Sequence, residues 1–311
     1  MAAGEVGVND GTALSQQIPR RSAEPDRPGG RRRDNLEHMA TIEEALEIEQ
    51  LERDIFRGAA TESQLTRTFG GQVAGRALVS AVRTVDHSFQ VHSLHGYFLR
   101  PGNPEEPTVY LVERIRDGRS FCTRRVTGVQ DGQAIFTMSA SFHRGDEGPE
   151  HQDVMPEVEG PDLLPDASVT MSPERLWAMR EWEHWDIRTV PSDQVAQREG
   201  YVSQQQVWFR YRHKLPDDPL FHVCTLAYMS DMTLLGSSKV AHPGEPTQDA
   251  SLDHAMWFLR PFRADEWLLY DQSSPSAGFG RALTGGKIWD REGNLVAAVV
   301  QEGLIRTPRH K

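Results

Sequence analysis

The chain has 311 residues, 38% of them hydrophobic, with 45 acidic against 34 basic side chains and a net charge of −11. That length allows one large or two modest globular domains, each able to enclose a core. So acidic a balance argues against a nucleic-acid binder, whose affinity comes from neutralising phosphates, and no apolar run approaches the roughly 20 residues that span a bilayer. The two cysteines, Cys122 and Cys224, lie far apart and outside any CxxC pair; they read as reduced core residues, and no disulfide or metal pair is expected. The N-terminus lacks the apolar stretch of a secretion signal, which points to a cytoplasmic chain.

Residues 1–38 are rich in Gly, Pro, Ser and Arg, include Arg31-Arg32-Arg33, and read as a disordered extension. Residues 43–52 form an acidic helical pattern, and Ile55-Phe56-Arg57-Gly58 resembles a strand end. After Gly70-Gly71, the residues Val73, Ala77, Leu78, Ala81, Val82 and Val85 recur at helical spacing. The small Gly75, Ala77 and Ala81 would let this helix lie close against a sheet, and the glycine pair leaves backbone N–H groups free at its positive end. The period then falls to about two, predicting strands over 91–99, 108–116, 120–130 and 133–143. Turn signals at Asp117-Gly118 and Asp131-Gly132 separate the last three strands.

Residues 144–195 are acidic and proline-bearing at first and read as a linker, with a short helix over 173–185 that carries Trp177, Trp182 and Trp185. The plan then repeats. A strand over 206–211 precedes a helix over 220–235 that is apolar nearly all round, as in a buried helix. Strands follow over 252–260, 266–273, 280–290 and 294–306. Phe98-Leu99-Arg100-Pro101 recurs as Phe258-Leu259-Arg260-Pro261, and Asp131-Gly132-Gln133 is echoed by Glu292-Gly293-Asn294. Matching context on both sides makes internal duplication the better account, with one unit over 43–143 and a second over 196–306.

Several familiar motifs are missing. There is no GxSxG elbow, no HExxH and no dinucleotide fingerprint, and Gly285-Gly286-Lys287 lacks the remainder of a phosphate loop. His92 and His95 share a strand at a spacing that places them on opposite faces, so no metal is expected there. Three polar residues stand out against apolar neighbours: Asp231 in the second predicted helix, Ser251 at the start of a strand, and Gln301 after Val299-Val300. A buried carboxylate is costly unless hydrogen-bonded. Each also has a plain structural reading: a structural pair for Asp231, an ordinary strand-start serine, and a strand-end glutamine facing water.

Five blocks together change that balance. Phe69-Gly70-Gly71-Gln72, His92 to Gly102, Ser251 to Phe258, Pro261 to Tyr270 and Val300-Gln301-Glu302-Gly303 resemble, in order, motifs of the TesB-type (type II) acyl-CoA thioesterases, to which peroxisomal acyl-CoA thioesterases are related. The resemblance implies an α+β double hot-dog: two fused hot-dog domains, each a curved antiparallel sheet wrapped around a long helix. It implies catalytic roles for Asp231, Ser251 and Gln301, with His92 secondary, and it implies no cofactor and no metal. An acyl-CoA substrate and a homo-oligomer are the expected partners, with no nucleic acid. The C-terminal Arg309-His310-Lys311 is not a peroxisomal signal of the SKL type.

The chemistry this predicts is modest in its demands. The leaving thiol has a pKa of only about 8.5, so the site needs an oriented water and help for the developing oxyanion more than a strong acid. Asp231 would orient and partly deprotonate water, with Ser251 and Gln301 holding it, on medium- to long-chain acyl-CoA. A rival mechanism makes Ser251 the nucleophile. Two other functions stay open: a non-catalytic acyl-CoA binding module, and an enoyl-CoA hydratase-like enzyme, which would need a histidine paired with the helix carboxylate.

Overall fold

The computed structural model describes residues 39–166, 169 and 179–308. The extension over 1–38 and the first part, 173–178, of the helix expected over 173–185 lie outside these residues. Within the described part of that segment, Arg180–Trp182 forms a single 3-10 turn and Trp185 already opens a strand.

The expected helix over 43–52 is cut short. Helix α1 (Ile42–Leu46) buries Ile42, Ala45 and Leu46, and Thr41 and Glu44 close it with a reciprocal capping box. The chain then turns into β1 (Glu49–Glu52), which pairs with β2 (Ile55–Gly58) across a tight turn where Asp54 takes φ 61°. Sheet pairing here overrides the helical propensity of an acidic run.

Helix α2 (Gly70–Val82) follows, and then the meander β3 (Gln90–Phe98), β4 (Thr108–Asp117), β5 (Phe121–Gln130) and β6 (Gln133–His143). Asp131 and Gly132 link β5 to β6 with φ 44° and 66°, the left-handed pair of a type I′ hairpin. Asp117-Gly118 behaves differently: neither residue has a positive φ, and Gly118 N–H bonds to Phe121 O at 2.9 Å in a wider loop.

In the second half, β7 (Trp185–Thr189), which the sequence pattern does not predict, pairs with β8 (Gln204–Tyr211). Helix α3 (Pro219–Met229) comes next and is shorter than the expected 220–235: Ser230 caps it, and Leu234–Lys239 continues as a 3-10 stretch. An all-apolar run signals burial without marking where a helix stops, and here the helix stops before Asp231. The strand expected over 252–260 is β10 (Asp253–Phe258), and a short strand that the sequence pattern does not predict, β9 (Gln248–Ser251), precedes it. The last three are β11 (Leu268–Gly278), β12 (Arg281–Trp289) and β13 (Leu295–Arg306).

The strands form one antiparallel sheet in the order β1-β2-β4-β5-β6-β3-β10-β13-β12-β11-β8-β7, with β9 on β13. The order is mirrored about the β3–β10 junction, where Met256 lies opposite Leu94. The two halves of this double hot-dog are therefore fused through their innermost strands. A shared core contains Ala77, Leu78 and Ala81 of α2 and Leu226, Ala227 and Met229 of α3, all at most 2% exposed. Two glycines of α2 admit neighbouring helices: a Cβ on Gly71 would lie 2.1 Å from Tyr228 O of α3, and one on Gly75 would lie 2.7 Å from Leu46 Cδ2 of α1 and 3.4 Å from Cys224 O of α3. A second, smaller cluster of Leu164, Trp208, Leu269 and Trp289 is covered by the incoming linker residues Met155 and Val158. Both cysteines are buried and unpaired.

Candidate active site

Asp231 follows the C-cap of α3, Ser251 ends β9 and Gln301 lies within β13. The fold brings the three together. Ser251 Oγ donates to Asp231 Oδ1 at 2.9 Å, and Gln301 Nε2 donates to Ser251 Oγ at 2.8 Å. The pairing of β9 with β13 sets Ser251 opposite Gly303 and so keeps the serine near Gln301. Gln301 is fully buried, which excludes the reading of a strand-end glutamine facing water.

The first half reaches the same point. The N-cap of α2 is Phe69, which offers no side-chain cap, so the first N–H groups of the helix need other acceptors. Gly71 N–H finds one in the Asp231 carboxylate. A Cβ on Gly70 would come 2.6 Å from Asp231 Oδ2, so the glycine is what lets the carboxylate approach the helix end. Burial pushes the Asp231 carboxyl above the ordinary carboxylate range, against the opposing pull of His254, Ser251, Gln301 and Gly71.

Sequence reasoning missed His254 as a member of this group. It is 1% exposed; its Nδ1 lies 2.5 Å from Gln301 Oε1, and its Nε2 lies 2.8 Å from Ser230 Oγ. The available signal was alternation: His254 stands two residues before the core residue Met256, on the strand beside Gln301. Burial holds the His254 imidazole below its ordinary value. His92, by contrast, bonds to Ser141 Oγ at 2.9 Å and packs against Phe121 and His143, none of which belongs to the cluster. His222 on α3 accepts from Ala264 N–H and makes no bond to Asp231.

Asp231 and Ser251 open onto a cavity of about 770 Å³. Phe69, Val73, Phe98, Ile135, Met232 and Leu235 supply its apolar wall, and Arg67, Arg100 and Lys239 also line it. The arrangement offers a carboxylate with a raised pKa and a hydroxyl beside apolar space, backed by the buried Gln301 amide, which suits general-base chemistry on a substrate with an apolar tail.

Two family models match the chain: an acyl-CoA thioesterase N-terminal domain over residues 60–143, and an acyl-CoA thioesterase model over 180–304. Human acyl-coenzyme A thioesterase 8 is 38% identical over 278 residues, covering 84% of this chain and 87% of that protein. The chain belongs to the acyl-CoA thioesterase family. Among solved structures, this thioesterase is similar to the acyl-CoA thioesterase II TesB2 of Mycobacterium marinum, with 61% identity, a TM-score of 0.79, and coverage of 86% of this chain and 99% of that one. A hot-dog protein of Alicyclobacillus acidocaldarius matches with a TM-score of 0.71 at 22% identity, over 86% of this chain and 98% of its own, and bears on the fold alone.

Proposed function

We propose that this thioesterase hydrolyses medium- to long-chain acyl-CoA to free fatty acid and coenzyme A by direct attack of water, with Asp231 as general base and Ser251 and Gln301 orienting the water. The observation that carries the reading is the Asp231–Ser251–Gln301 hydrogen-bond chain at the wall of a largely apolar cavity. Water adds to the thioester carbonyl carbon and gives a proton to Asp231. The tetrahedral intermediate then collapses, the carbon–sulfur bond breaks, and the thiolate leaves and recovers a proton. A base poised nearer neutrality than an ordinary carboxylate is the better proton acceptor for this step. The oxyanion is assigned to the N-terminus of α2, where Gly70 N–H has no acceptor within the helix. A volume of about 770 Å³ with apolar walls supports a substrate longer than acetyl, and Arg67 and Arg100 supply positive charge for its phosphates, Lys239 being paired with Asp249.

The acyl-enzyme route has one observation in its favour, the 2.9 Å contact from Ser251 Oγ to Asp231. Hydroxylamine trapping during turnover separates the two: direct attack predicts no acyl adduct on Ser251, and an adduct there overturns it. Thiol release across C2 to C18 acyl-CoAs is expected to peak at medium to long chains, and a maximum at C2 would overturn that choice.

The reading extends to setting and assembly. Two buried, unpaired cysteines suit a reducing cytoplasm; among the described residues, no helix is long and apolar enough to cross a membrane. Tyr97 and Leu99 near one end of the β3–β10 pair and Trp257 and Leu259 near the other, each more than 40% exposed, support a homo-oligomer, for which light scattering is the measurement.

A further inference from the structure

The amide of Gln301 has nearly the same shape in either orientation, so its neighbours must decide which end faces Ser251. The decision can be followed bond by bond. An ionised Asp231 only accepts, so the single hydroxyl proton of Ser251 goes to Oδ1, 2.9 Å away. Ser251 Oγ must then accept from Gln301, which turns Nε2 towards the serine at 2.8 Å. That leaves Oε1 on the far side, buried and in need of a donor. The group there is His254 Nδ1, at 2.5 Å.

We propose that His254 is a positioning residue: its Nδ1–H locks the Gln301 amide and thereby sets the direction of every hydrogen bond from Gln301 through Ser251 to Asp231. The proposal rests on the reading of Asp231 as base and adds a residue outside the three assigned to the water. It also fixes the tautomer. With the proton on Nδ1, neutral His254 presents a lone pair at Nε2, and Ser230 Oγ stands there at 2.8 Å to donate to it. Ser230 is fully buried, and its other contacts are Ala227 O at 3.1 Å and Met256 Sδ at 3.3 Å. Protonating His254 adds a proton at Nε2 and leaves the Nδ1–H bond in place, so the chain keeps its direction in both charge states.

Without His254, the amide is free to turn its oxygen to Ser251. The serine hydroxyl then donates to Gln301, Asp231 loses a hydrogen bond that favours its charged form, and its proton is held more tightly. The effect is therefore visible in pH dependence as well as in rate. The titratable and charged groups bearing on this site are Asp231 after α3, Asp253 and His254 on β10, His95 on β3 and Tyr270 on β11.

The test compares His254→Leu, which has no donor, with His254→Asn, whose side-chain N–H stands near the place of Nδ1, and with Asp231→Asn, all in the full chain. For His254→Leu, kcat is expected to fall about 10- to 100-fold with KM changed by less than about 3-fold, and the acid limb of kcat/KM to move up by about half a pH unit or more. His254→Asn is expected to recover the position of the limb and most of the rate. Equal loss in both variants with an unmoved limb would show packing alone and overturn the proposal. Where His254→Leu does not fold, the ring nitrogens of wild-type His254 decide by NMR: the Nδ1–H tautomer is expected, and the Nε2–H tautomer overturns the proposal. Near-wild-type turnover in Asp231→Asn sinks the base assignment, and the proposal with it. An inactive Asp231→Asn beside a fully active His254→Leu overturns the positioning role alone.

Discussion

The two halves arrange their strands in mirrored order but fill matching positions with opposite chemistry. Four residues before Phe98, Leu94 lies opposite Ala140 across β3 and β6, and the two are 3% and 1% exposed. Four residues before Phe258 stands His254. Continuing by one residue the register that sets Ala255 opposite Val300 brings it beside Gln301. One half closes its core with an apolar pair, while the other buries a polar pair that leads to Ser251 and Asp231. The helices differ in the same spirit. Asp218 caps α3 locally, bonding to Leu220 N–H at 3.0 Å, whereas α2 has no side-chain cap and gives Gly71 N–H to Asp231. Duplication thus supplies two helix-and-sheet units around a shared core. The site forms where one half departs from the apolar pattern and the other half leaves a helix end uncapped.

Asp231→Asn is expected to lower kcat by about 10³-fold or more, on the scale of losing an essential base, while circular dichroism stays native; a rate within a few-fold of wild type would remove Asp231 from the mechanism. Giving the second half the residues of the first, with His254→Leu and Gln301→Ala together, is expected to cut turnover by about 10²- to 10³-fold. That double variant should still melt cooperatively, and collapse of the fold would mean that the polar pair is structural.

The helix ends give a smaller contrast. Gly70→Ala pushes against the carboxylate and should reduce kcat/KM about 10-fold. Asp218→Ala should cost about 1 kcal/mol of stability and leave thiol release near wild type. The reverse pattern would contradict the account of the two caps.

The smallest effect lies in stability against pH. Burial raises the Asp231 pKa above the unfolded-state value, so its contribution is fully present below that unfolded value and is lost as pH rises through the folded one. The melting-temperature difference, Asp231→Asn minus wild type, should therefore grow as pH rises from about 4, the ordinary carboxylate value, towards neutrality. A difference that shrinks over that range would contradict a raised pKa.

Much of this is legible in the sequence. The change of period after α2, the Asp131-Gly132 turn and the repeated Phe-Leu-Arg-Pro segments are local signals, and they located β3, β5, β6 and the second half. Asp231, Ser251 and Gln301 were reached through motif blocks, because each is individually an ordinary polar residue in its own segment. The role of His254 carries no local signal because its partner lies one strand away, and the free N–H groups of the Gly70-Gly71 pair are legible while their acceptor, in the other half, is not.

By itself, then, the sequence determined two helix-and-meander units and the residue types available for chemistry, since periodicity and turn preferences depend on neighbours along the chain. The tertiary structure decided that α3 stops before Asp231, that a separate strand on β13 ends at Ser251, and that the glycines of α2 admit the other helix and the carboxylate. Those outcomes turn on hydrogen bonds and close approaches between segments far apart in sequence, where no local pattern records which donor meets which acceptor.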